Sequence, residues 1–431
     1  MSSPMMGLLG FVLTLALIGL GFPVAVAMAV VGLGGVWLAG GWGQAAYVLS
    51  TSPFESIFPY SFSVIPLFVL MGVFAARAGL SRSLFELVNA FCGHWRGGLA
   101  VSTVGASAVF GAICGSSLAT VATIGRVAMP EMRRFGYDDS LSSAAVAAGG
   151  TLGVLIPPSI ILVIFGLLTQ TSIGQLFVGA IVPGILGTIL YALAVMARAR
   201  MRPELAPRAE RVAWGARTAL FGQVWPVLLL FFAVVGGIQF GWFSPTEAAG
   251  VGAFGAFVLA LLAGSLSGRT LREIVRETAG LTGMIFLILI GASFFNFFLE
   301  TTGLPRMLAE TIAGSGLHPT LVMVFIMLFY IVLGCFMDSM SMVLLTVPLL
   351  APVAIALGFD MVWFGVLVVT VAEIGLITPP VGMNLFVVQG TAPGLKQATV
   401  VRGILPFILA DFVRLALLVA FPPLTLWLTG H

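Results

Sequence analysis

Ten stretches of this chain are apolar over about the twenty residues that a helix needs to cross the hydrocarbon core of a bilayer. They run over 5–21, 23–40, 62–78, 138–168, 174–197, 220–240, 245–265, 280–299, 361–390 and 403–429. Lipid offers no partner to backbone N–H and C=O groups, so each stretch must satisfy its own as a helix. Two further apolar stretches, 97–129 and 319–351, are too long for one helix and too short for two full crossings. Each has a small polar cluster at its centre, GSS at 115–117 and DSMS at 338–341. Two half-length helices meeting at a polar tip, a re-entrant hairpin, fit that pattern. Composition supports the membrane reading: 60% of the 431 residues are hydrophobic and 8% charged, against about 25% charged in a soluble domain. That excludes a nucleic-acid binder, despite a net charge of +3. The first apolar stretch lacks a basic leader and a cleavage pattern, and reads as a membrane helix rather than a signal peptide.

Arginine placement sets the orientation. With the N-terminus outside, ten crossings, and both hairpins returning to the side they enter from, 17 of the 19 Lys and Arg residues fall inside. Arg306 falls outside, and Arg414 lies in the last helix beside Asp411. Both termini are therefore expected outside the cytoplasm.

The two halves repeat. GGTLGVLIPPS at 149–159 aligns with VAEIGLITPPV at 371–381, and FGYDD at 135–139 with LGFDM at 357–361, both at an offset of 222. FGAICGSS at 110–117 aligns with LGCFMDSM at 333–340, and AGL at 78–80 with TGL at 302–304, at 223 and 224. Each half holds five crossings and one hairpin. Five is odd, so the second half enters the membrane with opposite polarity, the plan of secondary transporters that bind at the midplane between inverted repeats. The predicted fold is thus an all-α polytopic membrane protein with about ten transmembrane helices, two re-entrant hairpins and an inverted repeat. Its expected parts are scaffold helices and a surface arm (1–96), a first transport half (97–197), a cytoplasmic linker (198–219), a second scaffold and arm (220–314) and a second transport half (315–431). The amphipathic segments 81–96 and 304–314 read as the helices lying along the membrane surface.

Candidate chemistry gathers at the repeated features. Gly153 and Gly375 are expected to loosen their helices, and Pro158 and Pro380 to remove N–H donors and free carbonyls upstream. Freed carbonyls with nearby hydroxyls are hard oxygen ligands for an alkali cation. Half-helix N-termini at the breaks and tips would face an anion. The competing reading is that the breaks are kinks in packed helices. Asp338 is a carboxylate at a hairpin tip, fitted either to a cation or solute or to capping its helix. Glu373 is read as a proton or cation group or as paired within the bundle, and Arg126 as meeting a solute carboxylate or snorkelling to the surface. SPTE at 244–247 is a capping box. Cys92, Cys114 and Cys335 have no disulfide or metal spacing. His94, His318 and His431 cannot form a metal cluster, and no base serves Ser107 as a protease nucleophile. No Walker A motif is present, and the chain is read as a non-enzyme.

With GSSLATVATIGRVAMPEM at 115–132, GGTLGVLIPPS at 149–159, SPTEAAG at 244–250 and GLITPPVGMN at 375–384, the chain resembles the large membrane subunit of tripartite ATP-independent periplasmic (TRAP) transporters. The resemblance implies an elevator-type bacterial inner-membrane importer of organic acid anions, C4-dicarboxylate or sialic-acid-like, coupled to two or more sodium ions. It implies two partners, a periplasmic solute-binding protein and a small membrane subunit, here expected as a separate chain. Carried over residue by residue, one sodium site falls at Gly111, Cys114, Gly153, Ile156 and Pro158, and the other at Gly334, Met337, Gly375, Thr378 and Met383. Ser116, Ser117, Asp338, Ser339, Ser341 and Asn384 would face the solute. Gly111 and Cys114 stand where relatives often carry serine, which puts side-chain ligation there in question. The alternative is a stand-alone sodium–dicarboxylate symporter of related hairpin architecture; an anion channel is a third.

Overall fold

The structure, a computed structural model, describes residues 3–208 and 211–430. Residues 209 and 210 of the expected linker, and His431, lie outside the described residues. The first half comprises α1 (Ser3–Gly19), α2 (Val24–Ile57), α3 (Val64–Arg77), the surface-type α4 (Leu80–Cys92), the hairpin α5 (Gly98–Cys114) and α6 (Ser117–Arg134), then α7 (Asp139–Leu155), α8 (Ile160–Thr169) and α9 (Ile173–Met201). The second half comprises α10 (Trp214–Gln239), α11 (Pro245–Leu262), α12 (Gly268–Thr302), α13 (Leu304–Gly314), the hairpin α14 (Pro319–Gly334) and α15 (Ser339–Ala356), then α16 (Met361–Ile377), α17 (Met383–Gln389) and α18 (Gln397–Ala420). No strand occurs among the described residues.

The repeat is visible in local geometry. Gly79 and Gly303 take φ of 75° and 70° just before α4 and α13. Gly136 and Gly358, at φ 74° and 79°, turn the chain into Asp138 and Asp360. Their carboxylates accept from backbone N–H groups and cap α7 and α16. Such left-handed turns exclude most L-residues, which is why glycine marks the same point in each half.

Several expected boundaries are corrected. α2 is two helical segments joined at a kink at Gly41 (φ 80°), so the first ends where the 23–40 crossing was expected to, and a second, not expected from the sequence, runs on to Ile57. α12 starts at Gly268 rather than near 280. Ser267 Oγ caps it by accepting from the Thr270 N–H at 3.1 Å, and the extension carries the Arg269–Glu273 pair at 3.2 Å, so hydropathy does not register it as membrane helix. α18 spans Gln397–Ala420 rather than 403–429, since Pro422 and Pro423 stop it. α4 ends at Cys92, before Gly93 and Gly97. α9 and α10 extend into the 198–217 stretch, to Met201 and from Trp214. The hairpin arms are not half-length. They have 16 to 18 residues, about 24–27 Å at 1.5 Å per residue, because α6 and α15 continue past the apolar core to Arg134 and Ala356.

Packing follows small residues. Helices in lipid gain little from hydrophobicity and much from close contact. α2 lies along α12, and a Cβ on Gly32 would stand 2.6 Å from the Phe294 carbonyl carbon, while one on Gly291 would stand 2.3 Å from Ala25 O. α3 packs on α11 and α12. α7 and α16 are buried on every face through 141–155 and 362–377, and they pack on each other and on α9 and α18. A helix apolar all round belongs in the centre of a bundle, and these two carry the breaks. Large apolar side chains on α2, α10 and α11, among them Leu38, Phe232 and Phe254, are more than half exposed, as lipid-facing or partner-facing surface requires.

Candidate functional site

Both suspected breaks are real interruptions, not kinks in continuous helices. α7 ends at Leu155, Ile156 is extended, and α8 restarts after Ser159, whose Oγ accepts from Leu162 N–H; the two segments meet at 41°. α16 ends at Ile377, Thr378 is extended, and α17 restarts after Gly382 at φ 59°. Pro157–Pro158 and Pro379–Pro380 are cis at both places.

The glycines serve another purpose than the one expected from sequence. Gly153 and Gly375 do not loosen their helices; both sit inside regular helix. They are glycine because a hairpin arm crosses there. A Cβ on Gly153 would lie 2.2 Å from Gly111 Cα, and one on Gly375 would lie 2.4 Å from Gly334 Cα. The α5–α7 and α14–α16 crossings are thus matched backbone contacts, each a few residues before a break.

Between the tips and the breaks lies a cavity of about 290 Å³. The first tip lines it with Cys114, Ser116 and Ser117, the second with Asp338 and Ser339, and the breaks with Glu373, Leu376 and Met383. The opposite wall is α3, through Gly72 and Val73, and α12, from Glu277 to Ile288. Toward the arginine-rich side, Arg77 Nη2 holds Glu277 at 3.0 Å and Arg77 Nη1 holds Glu273 at 3.1 Å. Ser116 caps α6 by accepting from Ala119 N–H at 3.4 Å. Asp338 Oδ2 caps α15 by accepting from Ser341 N–H at 3.0 Å. Asp338 therefore caps its helix and lines the cavity at once.

Side-chain bonds join the parts. Ser339 Oγ donates to Glu373 Oε1 at 2.7 Å. Asn384 Nδ2 donates to Ser117 Oγ at 2.8 Å and to Ala147 O at 3.1 Å. Beside α7, Arg414 Nη2 meets Asp411 Oδ1 at 2.7 Å, and Tyr191 Oη donates to Asp411 Oδ2 at 2.5 Å, all three buried. Oxygen atoms gather near the second break and at the first hairpin crossing. Leu376 O and Thr378 O each lie 3.1 Å from where a Cβ on Gly382 would be, and Thr120 Oγ1 lies 3.1 Å from a Cβ on Gly111. Among the described residues no three His, Cys, Asp or Glu side chains gather as a metal site.

Of the candidate residues, Cys114, Ser116, Ser117, Asp338, Ser339 and Met383 line the cavity. Gly111, Gly153, Gly334 and Gly375 form the crossings behind it. Ile156, Pro158, Met337 and Thr378 lie at the breaks or the second tip, outside the lining. Ser341 and Asn384 are buried beside it. Arg126 is exposed on α6 and joins no ion pair among the described residues. Sequence reasoning missed Glu277, whose REIVRET context reads as topological charge, and Thr120, one turn past Ser116.

The chain matches the family described as "Tripartite ATP-independent periplasmic transporter, DctM component" over residues 11–424. It is 37% identical over 383 residues to the C4-dicarboxylate TRAP transporter large permease protein DctM of Pseudomonas aeruginosa, covering 88% of each chain. It is 34% identical over 376 residues to the sialic acid TRAP transporter large permease protein SiaM of Vibrio cholerae, covering 86% of each. It is 32% identical over 420 residues to the ectoine TRAP transporter large permease protein TeaC of Halomonas elongata, covering 96% of each. A further relative, in Oleidesulfovibrio alaskensis, is an isethionate TRAP transporter permease protein DctMQ, 33% identical over 422 residues, with 95% of this chain and 64% of that protein covered. In fold it is similar to the Alcanivorax borkumensis YdaH transporter, with a TM-score of 0.62 at 15% identity over 88% of this chain and 89% of that one.

Proposed function

Because the chain belongs to the DctM family of large membrane components of TRAP transporters, we propose that it imports an organic acid anion, C4-dicarboxylate or sialic-acid-like, by coupling to sodium. Membership supports a multi-pass membrane permease rather than an enzyme. The observation that supports the finer reading is the convergence of two capped hairpin tips and two broken helices on one small cavity. Tip hydroxyls would bind the solute, and carbonyls and hydroxyls at each break would bind sodium as co-substrate. Two bound cations would offset the acidic lining when an anion enters.

In this reading the hairpins and broken helices (97–197 and 315–431) move as one body against 1–96 and 220–314. α3 and α12 line the fixed wall. A periplasmic binding protein delivers solute, a small membrane subunit in a separate chain braces the scaffold, and both termini face the periplasm of the inner membrane. The test is uptake into proteoliposomes holding this chain and its small subunit. Solute should accumulate only with an inward sodium gradient and the cognate binding protein. An equal rate without sodium refutes the coupling, and full uptake without the binding protein supports the stand-alone symporter instead.

A further inference from the structure

Glu373 is the buried acid that neither break explains. It is 1% exposed, and its carboxyl faces the cavity. Oε1 accepts from Ser339 Oγ at 2.7 Å, whereas Oε2 is buried with no hydrogen-bond partner within bonding geometry among the described residues. Ser117 of the other hairpin sits beside the same carboxyl. Asn384 uses both amide hydrogens, on Ser117 Oγ and Ala147 O, so its Oδ1 is a second buried oxygen left bare. Among the described residues no Arg, Lys or His lines the cavity, while Asp338, Glu277 and Glu373 do. The cation nearest in the network, Arg414, is bound to Asp411. Buried acceptor oxygens without a donor call for a positive occupant.

We propose that Glu373 holds a monovalent alkali cation of its own, sodium, between the two hairpin tips, additional to those at the two breaks. The ligand set is the Glu373 carboxylate, the Ser339 and Ser117 hydroxyls and Asn384 Oδ1: four hard oxygens with one negative charge, which suit sodium and not a thiolate-seeking metal. The repeat is broken at this point, since the position equivalent to Glu373 is Thr151, which bonds Ala148 O and Tyr191 Oη instead. The second half therefore carries a charged cation site that the first half lacks. Because one ligand comes from each hairpin, the ion fastens the two tips together. A solute could then close the cavity only after the ion is in place.

This inference rests on the sodium-coupled reading, and the experiment separates the two. Radioactive sodium bound per purified complex is counted by scintillation proximity for the wild type, Glu373→Gln and Ser339→Ala, with folding checked by thermal stability. Glu373→Gln is expected to bind one sodium fewer. Ser339→Ala keeps the carboxylate and should raise the half-saturating sodium concentration about fivefold, so it serves if Glu373→Gln does not fold. Unchanged sodium stoichiometry in well-folded Glu373→Gln overturns the proposal, as does an unchanged half-saturation in Ser339→Ala. A loss of pH dependence in Glu373→Gln with all its sodium retained overturns it too, because the carboxyl then holds a proton. Absence of sodium binding by the wild type would instead remove the coupling itself.

Discussion

Replacing Gly153 or Gly375 by alanine places a methyl group inside a neighbouring backbone. The new Cβ would lie 2.2 Å from Gly111 Cα in the first case and 2.4 Å from Gly334 Cα in the second. An ordinary contact needs at least 3.4 Å, so each crossing must open by about 1 Å. No side chain can turn aside, because both partners are main chain. Overpacking of this kind costs about 1–3 kcal/mol, offset in part by the helix preference of alanine over glycine, about 1 kcal/mol. Ion ligands tolerate displacements of only about 0.2 Å, so the larger effect should fall on sodium. Half-saturating sodium is expected to rise about tenfold, equivalent to about 1.4 kcal/mol, with a modest fall in thermal midpoint. Gly34→Ala is the control: nothing lies within 4 Å of its Cβ, and it should leave half-saturating sodium unchanged and raise the thermal midpoint slightly, by the helix preference alone. The assay is sodium-dependent uptake in proteoliposomes alongside a thermal-unfolding scan in detergent. If Gly153→Ala and Gly375→Ala match the wild type in both, the crossings do not set the geometry of the breaks.

Asp338→Asn should cut uptake strongly while leaving thermal stability close to wild type, since asparagine caps a helix about as well as aspartate. Ser116→Ala should weaken uptake about 5- to 150-fold, for the loss of one hydrogen bond or ligand worth about 1–3 kcal/mol in a dry site. Glu247→Gln should change neither rate nor half-saturation, because the Ser244–Glu247 box survives with glutamine and lies outside the cavity lining. Arg414→Met alone should destabilise the fold by about 3–5 kcal/mol by stranding buried Asp411, and Arg414→Met with Asp411→Leu should recover most of it; thermal unfolding of the three proteins checks this.

The architecture was legible because the repeat writes the same local rules twice. Paired offsets near 222 located the hairpins and the breaks, and aligned the segments in which the structure places the glycine turns before α4, α7, α13 and α16. Tip serines and Asp338 stood out because polar residues are scarce in apolar runs. What stayed hidden depends on partners distant in sequence. A glycine in a helix looks the same in sequence whether it weakens that helix or admits another, and only the crossings of α5 and α14 distinguish the two at Gly153 and Gly375. Asp411 and Arg414 were visible as neighbours three apart, but Tyr191 lies 220 residues from Asp411. The contact of Glu373 with Ser339, and of Asn384 with Ser117, likewise needs the assembled fold. Charged helix extensions such as 268–279 escaped because hydropathy measures lipid exposure and not helicity.

The central claim is that solute and sodium meet in the cavity between the two hairpin tips, and a cryo-EM map of the complex with its small subunit, loaded with solute and sodium, tests it most directly. The account predicts solute density between Ser116–Ser117 and Asp338–Ser339, with ion density at the 156–158 and 378–382 breaks and beside Glu373. Solute density elsewhere, with the tips in contact with each other and the cavity holding only water, would contradict it.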